Sequence, residues 1–229
     1  MKSILTIAAC LALLNSAHAQ SDAVKQLNKA TDVINEIMKT PDNAIPHDLL
    51  DKAVCVGIVP SELKFALGIG GNYGRGVLVC RRHGDGPWGG PSFFSLGGGS
   101  IGFQIGGEAK DVVFIVQNPA GARKLLQDKV KLGADASVAA GPLGRTAQGE
   151  TDAQLHGEIL AYSRSRGLFA GVSLAGAVMK QDKDDNRQLY GKTLSPTEIL
   201  IDNKAAVPAQ AHRLHAALTK YSPKGGSRF

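Results

Sequence analysis

The residues KFALGIGGNYGRGVLVC at 64–80 and SFFSLGGGSIGFQIGGEAKDVVFIV at 92–116 decide the fold class. Apolar side chains fall on every second position in Phe65-Leu67-Ile69, Val77-Val79 and Ile101-Phe103-Ile105, while Phe93-Phe94 and 112–116 are short continuous apolar runs. Glycine interrupts them throughout. A period of two with turn residues between the runs is the pattern of β-strands. The whole chain of 229 residues carries 28 glycines against seven Phe, four Tyr and one Trp. Such a composition suits tight turns and close backbone approach rather than a helical bundle. It also excludes disorder and collagen-like repeats, with 43% hydrophobic and 20% charged residues.

Outward from this block the period changes. Val24, Leu27, Ile34 and Ile37/Met38 recur at helical intervals over 22–38, with charges between them. The spacing predicts an amphipathic helix packed on its own domain. A short helix is expected after Pro46, taken as its first residue, and Asn118-Pro119 offers a cap and first-turn proline for another. Alternation at Leu132-Ala134-Ala136-Val138 predicts a strand, and 168–178 predicts a longer one. Asp182-Lys183-Asp184-Asp185-Asn186 reads as a charged hairpin turn, since Arg187 and Thr193 stand where a calcium loop needs glycine and a carboxylate. Ser195-Pro196-Thr197-Glu198 is a capping box, and Ala211, Leu214 and Leu218 mark a last helix after Pro208. The expected fold is α+β: a strongly twisted, mostly antiparallel, glycine-rich sheet, barrel-like in curl, with helices at both chain ends.

The first 19 residues are set apart. Met1-Lys2, the apolar run 4–14 and the small Ala17 and Ala19 read as a secretory signal cleaved after Ala19. Ile7-Ala8-Ala9-Cys10 also fits a lipid-attachment box, but that would cut the apolar run in half. An exported chain, periplasmic or extracellular, with one domain over 20–229 is the expectation. Without Lys2 there remain 25 basic and 20 acidic residues, and every acidic one lies at or before Asp202. The excess is therefore the tail, Lys204, Arg213, Lys220, Lys224 and Arg228. No basic motif interleaved with aromatics points to nucleic acid. Cys55 and Cys80 both sit in apolar runs, so a disulfide and two buried thiols are equal alternatives in an oxidising compartment.

Motifs for catalysis fail on context. Gly97, Gly99 and Gly102 fit the dinucleotide pattern, and Gly98, Ser100 and Gly102 fit the serine-nucleophile pattern, but both need a helix directly afterwards. Phe103-Gln104-Ile105 alternates like a strand instead. At 144–151 Glu150 replaces the phosphate-binding lysine of a P-loop, and at 186–193 Asn186 replaces its first glycine. The histidines are scattered, with His212 and His215 on one helical face and no nearby carboxylate. No metal, cofactor or enzymatic activity is expected, with a serine hydrolase through Ser100 as the remote alternative.

Gly141-Pro142-Leu143-Gly144-Arg145, Thr151-Asp152 and the run from Tyr162-Ser163-Arg164-Ser165-Arg166-Gly167 to Gly171-Val172-Ser173-Leu174 form one ordered set. Together with Gly71-Asn72-Tyr73-Gly74-Arg75-Gly76, Gly102-Phe103-Gln104-Ile105-Gly106, Asn186 and Tyr190-Gly191, it resembles the SYLF lipid-binding domain family over 46–191. A helical extension covers 195–221. The chain departs from the family at Ala175-Gly176, where Glu-Gly is usual, and at Leu189-Tyr190, where a Tyr pair is usual. The resemblance implies binding of acidic phospholipids. In eukaryotic members these are phosphoinositides, and SH3 or FYVE modules and the actin cortex accompany the domain. This chain shows no such module and reads as a stand-alone, exported, bacterial member.

An anionic headgroup needs fixed guanidinium or ammonium donors, framed where possible by glycine amides. Arg145, Arg164 and Arg166 are the first candidates, then Lys64 and Arg75 beside glycine turns, then Lys180 and Lys192. Arg164 and Arg166 share a strand parity, which equally suits surface ion pairs with Asp152 or Glu158. The expected function is non-enzymatic binding of anionic lipid headgroups at an envelope membrane surface. The alternative is an envelope scaffold that docks a protein or glycan.

Overall fold

The glycine-interrupted apolar runs form two pairs of long strands. β1 (Cys55–Leu67) and β2 (Ile69–Arg81) make a hairpin, β3 (Trp88–Ile101) joins β2, and β4 (Gly106–Val116) returns beside β1. The order β3-β2-β1-β4 is a Greek key. This computed structural model describes residues 21–39, 45–67, 69–101, 106–143, 157–165 and 168–223, and only the backbone of 64–67, 69–70, 99–101 and 106–108. Beyond β4 lies β7 (Ile159–Ser165), whose first half pairs in parallel with β6 (Val138–Ala140) and whose second half pairs with β8 (Leu168–Gly171). Beyond β3 lie β9 (Val178–Gln181) and β5 (Lys129–Lys131). Every other pairing is antiparallel, and the nine strands curl into a half-barrel.

The curl has local causes. β1 carries a bulge between Ile58 and Leu63, with Ser61 at φ 54° and its amide bonded to Asp111 Oδ1 at 3.0 Å. Gly57 faces Phe114 and Gly76 faces Phe94 across the ladder. A Cβ on Gly57 would stand 2.1 Å from the Phe114 ring, and one on Gly76 2.4 Å from the Phe94 ring. The bare glycines let each ring lie flat on the neighbouring strand. A disulfide joins the register partners Cys55 and Cys80.

Both faces of the sheet are packed. On one, α1 (Asp22–Met38), α2 (His47–Lys52) and α6 (His212–Tyr221) bury Leu27, Ile34, Leu50, Leu214 and Leu218 against Ile58, Val77, Phe93, Val113 and Tyr162. On the other, α3 (Pro119–Leu125) and α5 (Pro196–Leu200) bury Leu125, Ile199 and Leu200 against Val59, Phe94, Leu96 and Met179. Ser195 and Glu198 form the expected reciprocal cap.

Four expectations need correction. Pro46 is the N-cap of α2 rather than its first residue. The alternation at 132–138 spans the turn between β5 and β6, where Gly133 has φ 85°. The run 168–178 breaks after Gly171 and turns at Gly176, φ 88°, so β8 and β9 are separate strands. The charged stretch after Asp182 is α4 (Lys183–Tyr190): the Asp182 side chain accepts from the Asp185 amide, and Gly191 ends the helix at φ 67°. A good N-cap and a left-handed C-cap define a helix here that the dense run of mixed charges hid.

Candidate functional site

The β-ladders set two rows of residues side by side on the face that carries α1. In the first, Lys129 of β5, Lys180 of β9, Ser95 of β3 and Arg75 of β2 are successive register partners. In the second, one step toward the tip of the β1–β2 hairpin, come Lys131, Val178, Gly97, Tyr73, Leu63 and Ala109. Register partners share a face, so each row is a line across the sheet. At the first row Gln26 Nε2 of α1 donates to the Arg75 carbonyl. In the second row Leu63, Tyr73 and Lys131 are exposed. Tyr73, Ser95, Gly97, Lys129, Val178 and Lys180 line a depression of about 350 Å³, and Gly97 contributes no side chain to fill it.

The charges in these rows differ in kind. Arg75 is spent inside the protein: it lies 3.3 Å from Asp182 Oδ2 and bonds Asp185 as well. Burial would lower its pKa, but Asp185 and Asp182 raise it on balance. The Asp185 carboxyl is pushed up by burial and by Asp182, against the pull of Arg75. Lys129, Lys131 and Lys180 are exposed and have no ion pair among the described residues. Three ammonium groups without carboxylate partners on one open face can hold an anion.

The other sequence candidates fall elsewhere. Arg164 pairs with Asp111 at 2.7 Å and with Glu36 of α1, not with Asp152 or Glu158. These carboxylates raise its pKa over the lowering effect of burial. Its role is to tie β7 to β4 and to α1. Glu158 instead takes Lys124 at 2.8 Å, and the hydrogen bond from that ammonium holds its carboxyl below the usual range. Lys192 is exposed after α4, away from the two rows. Lys64 is opposite Asn72 and Glu108 in register, one position out of phase with Leu63 and so outside the two rows. Arg145 and Arg166 lie outside the described residues, as does the P-loop-like stretch 144–151 apart from its neighbours in β6 and β7. Ser100 lies within β3 opposite Gly70, and the residues that follow the strand, 102–105, lie outside the described residues.

Several motif residues prove to be architectural. The β9 ladder stops at Phe94, and beyond it Asn186 accepts from the Phe93 amide at 2.8 Å and donates to Ser92 Oγ. Tyr190 donates to the Pro91 carbonyl at 2.7 Å, and burial pushes its hydroxyl pKa up. α4 thus replaces the strand that β3 lacks there. Gly141 and Gly171 meet backbone to backbone, since a Cβ on Gly171 would stand 2.2 Å from the Gly141 carbonyl. Sequence reasoning named Lys180 but missed Lys129, Ser95 and Tyr73. Their only signal is strand parity, which becomes usable once the register is known.

A curled sheet flanked by helices thus carries an open basic depression beside β3, β5 and β9. Comparison with known proteins gives the chain's family. Residues 97–221 match the family model Ysc84, described as Las17-binding protein actin regulator. LAS seventeen-binding protein 3 of Saccharomyces cerevisiae is 35% identical over 193 residues, 82% of this chain and 42% of its own length. SH3 domain-containing YSC84-like protein 1 of Homo sapiens is 31% identical over 210 residues, 89% of this chain and 60% of its own length. The chain belongs to the Ysc84 family, the SYLF domain family. It spans about two-fifths to three-fifths of the length of these relatives.

Proposed function

We propose that this chain is a non-enzymatic module that binds anionic lipid headgroups at a membrane surface, through the depression floored by Gly97 and walled by Lys129, Lys180, Ser95 and Tyr73. The observation that carries the reading is the pair Lys129 and Lys180: adjacent in register, exposed, and without ion pairs among the described residues. A phosphate set between two ammonium groups gains charge-assisted hydrogen bonds, with the Ser95 and Tyr73 hydroxyls within the same depression. Family membership supports the class of ligand. The signal-like segment 1–19 would direct this face to an envelope membrane, a reading that suits Cys55–Cys80 as an oxidised pair.

The test is co-sedimentation with phosphatidylcholine vesicles carrying graded phosphatidylglycerol, at low and at physiological salt. The chain from Gln20 is used, because it contains every described residue and lacks the apolar run 4–14, which would itself enter lipid. Binding should rise with anionic content and weaken with salt. Each lysine near such a surface contributes about 1 kcal/mol, so Lys129→Gln with Lys180→Gln should weaken partitioning about thirtyfold. Gly97→Val keeps the net charge; its Cβ meets only the Asn72 carbonyl at 3.4 Å and Tyr73 Cδ2 at 3.8 Å, so the strand tolerates it while the depression fills. A severalfold loss for this variant is expected. Undiminished binding in both variants would move the site elsewhere, and no binding to any anionic vesicle would favour a protein or glycan partner, as the Las17-binding names of the relatives suggest.

A further inference from the structure

The strands toward the β1–β2 hairpin tip divide their residue types by register parity. Leu63 and Tyr73 are direct register partners, 43% and 53% exposed, in the row just beyond the lysines. Singly scattered apolar residues on a surface need no explanation, but two large ones side by side do. Toward the tip, Phe65 and Leu67 of β1, Ile69 of β2 and Ile101 of β3 hold register positions of the same parity, and the other positions of that parity there are glycine or alanine. No charged residue occupies this set. The opposite parity holds the charges of the same strands: Glu62, Lys64, Glu108 and Lys110. There Glu62 is fully buried, accepts from Asn72 Nδ2 and has Lys110 Nζ at 3.3 Å, an ion-pair distance. An even mixing of charges, as on an ordinary solvated strand pair, is not what this tip shows.

We infer that the exposed Leu63–Tyr73 pair enters the headgroup–acyl boundary of an anionic bilayer, with Leu63 inserted and Tyr73 at the interface. The inference rests on the lipid reading of the lysine face and adds the mode of docking. Charge complementarity selects the occupant. Lys131, Val178, Gly97, Tyr73 and Leu63 lie in one row beside that of Lys129 and Lys180, so the exposed apolar pair and the ammonium groups share one face of the sheet, as docking on an anionic lipid layer requires. A tyrosine between the two zones has the amphipathic ring that settles at headgroup level. Among the described residues Leu63 and Tyr73 keep this exposure with α1 in place, its Gln26 bonded at Arg75 in the neighbouring row. Insertion adds a term that salt does not screen, whereas the lysine term is screened.

The experiment places a fluorophore in the row. The chain from Gln20 with Leu63→Trp is mixed with phosphatidylglycerol-containing vesicles whose acyl chains are brominated, and sedimentation and emission are read on the same sample. The native Trp88, 1% exposed, supplies the background from the parent chain. Expected are sedimentation, a blue shift of the introduced indole and its quenching by bromine, with the Trp88 signal unchanged. In a second arm Leu63→Gln with Tyr73→Gln, both at exposed positions, should lower binding about tenfold at high salt and less at low salt. Sedimentation without blue shift or quenching overturns the insertion and leaves the headgroup reading standing. No sedimentation overturns both. An indole already blue-shifted without vesicles would show the row covered by another part of the chain or by a second copy, which also overturns the proposal.

Discussion

Replacing Arg81 with methionine is expected to lower the unfolding free energy by about 4 kcal/mol, the cost of leaving several buried acceptors without a donor. Arg81 is 1% exposed at the end of β2. Its Nε donates to the Ala53 carbonyl at 3.1 Å, one terminal nitrogen to the Gly86 carbonyl at 3.2 Å, and the other to the Ser222 carbonyl at 3.2 Å and its hydroxyl. The guanidinium also lies 4.0 Å over the Trp88 ring, whose Nε1 donates to that same Ser222 carbonyl. Burial lowers the pKa of this guanidinium, and Asp51 and Asp85 pull the other way. It stays charged even so. Through Ser222, which also bonds Asp51, this one side chain fastens α2, the β2–β3 turn and the end of α6 together. Methionine fills similar volume but supplies no donor. Arg81→Lys keeps the charge without the planar fork and should lose about half as much. Urea unfolding followed by far-UV circular dichroism reads the difference without depending on Trp88. A loss below about 1 kcal/mol for Arg81→Met would show that water replaces the guanidinium and that the clamp is not a stability determinant.

Apart from α4, the helices are legible in the sequence and the site is almost invisible, for one physical reason. Capping and helical spacing are local: Ser195 and Glu198, or Asn118 with the Gly121 amide, complete their bonds within three residues. A lysine row is not local. Lys129 and Lys180 come from β5 and β9, remote in sequence and paired directly in the sheet, and nothing in either segment alone records the pairing. Two of the candidate arginines, Arg164 of the first group and Arg75 of the second, lie in alternating or glycine-rich contexts, yet each is neutralised by carboxylates from remote elements, Asp111 and Glu36 for Arg164, Asp182 and Asp185 of the α4 region for Arg75. The abundance of glycine is legible as a sheet, whereas its reason is not. Gly57, Gly76 and Gly141 are bare because Phe114, Phe94 and Tyr162 lie upon them, a complementarity that exists only across strands. Alternation also misleads where small residues dominate, as at 132–138 and 168–178, because a left-handed glycine turns the chain without breaking the apolar pattern.

Removing the Cys55–Cys80 bond is the other change expected to act strongly. The two residues are 25 apart in the chain, and opening a loop of that length raises the entropy of the unfolded state enough to cost about 3.5 kcal/mol. The folded structure has little need of the bond for position. Cys55 and Cys80 are register partners inside a ladder that runs from 55 to 67, and β3 and β4 hold both strands from outside. The chain with Cys55→Ala and Cys80→Ala should therefore keep its far-UV spectrum and its vesicle binding at low temperature. In urea its midpoint should fall while its m-value rises, because an uncrosslinked unfolded chain exposes more surface. Burial sets the kinetics of the reverse experiment: at 0% and 1% exposure neither sulfur meets a reductant until β1 and β2 part from their neighbours. Reduction of the parent chain in native buffer should follow the rate of global unfolding and stay independent of thiol concentration once reductant is in excess. A rate that rises in proportion to reductant would show that the pair opens locally, and an unchanged urea midpoint in the double variant would show that the crosslink does not set stability.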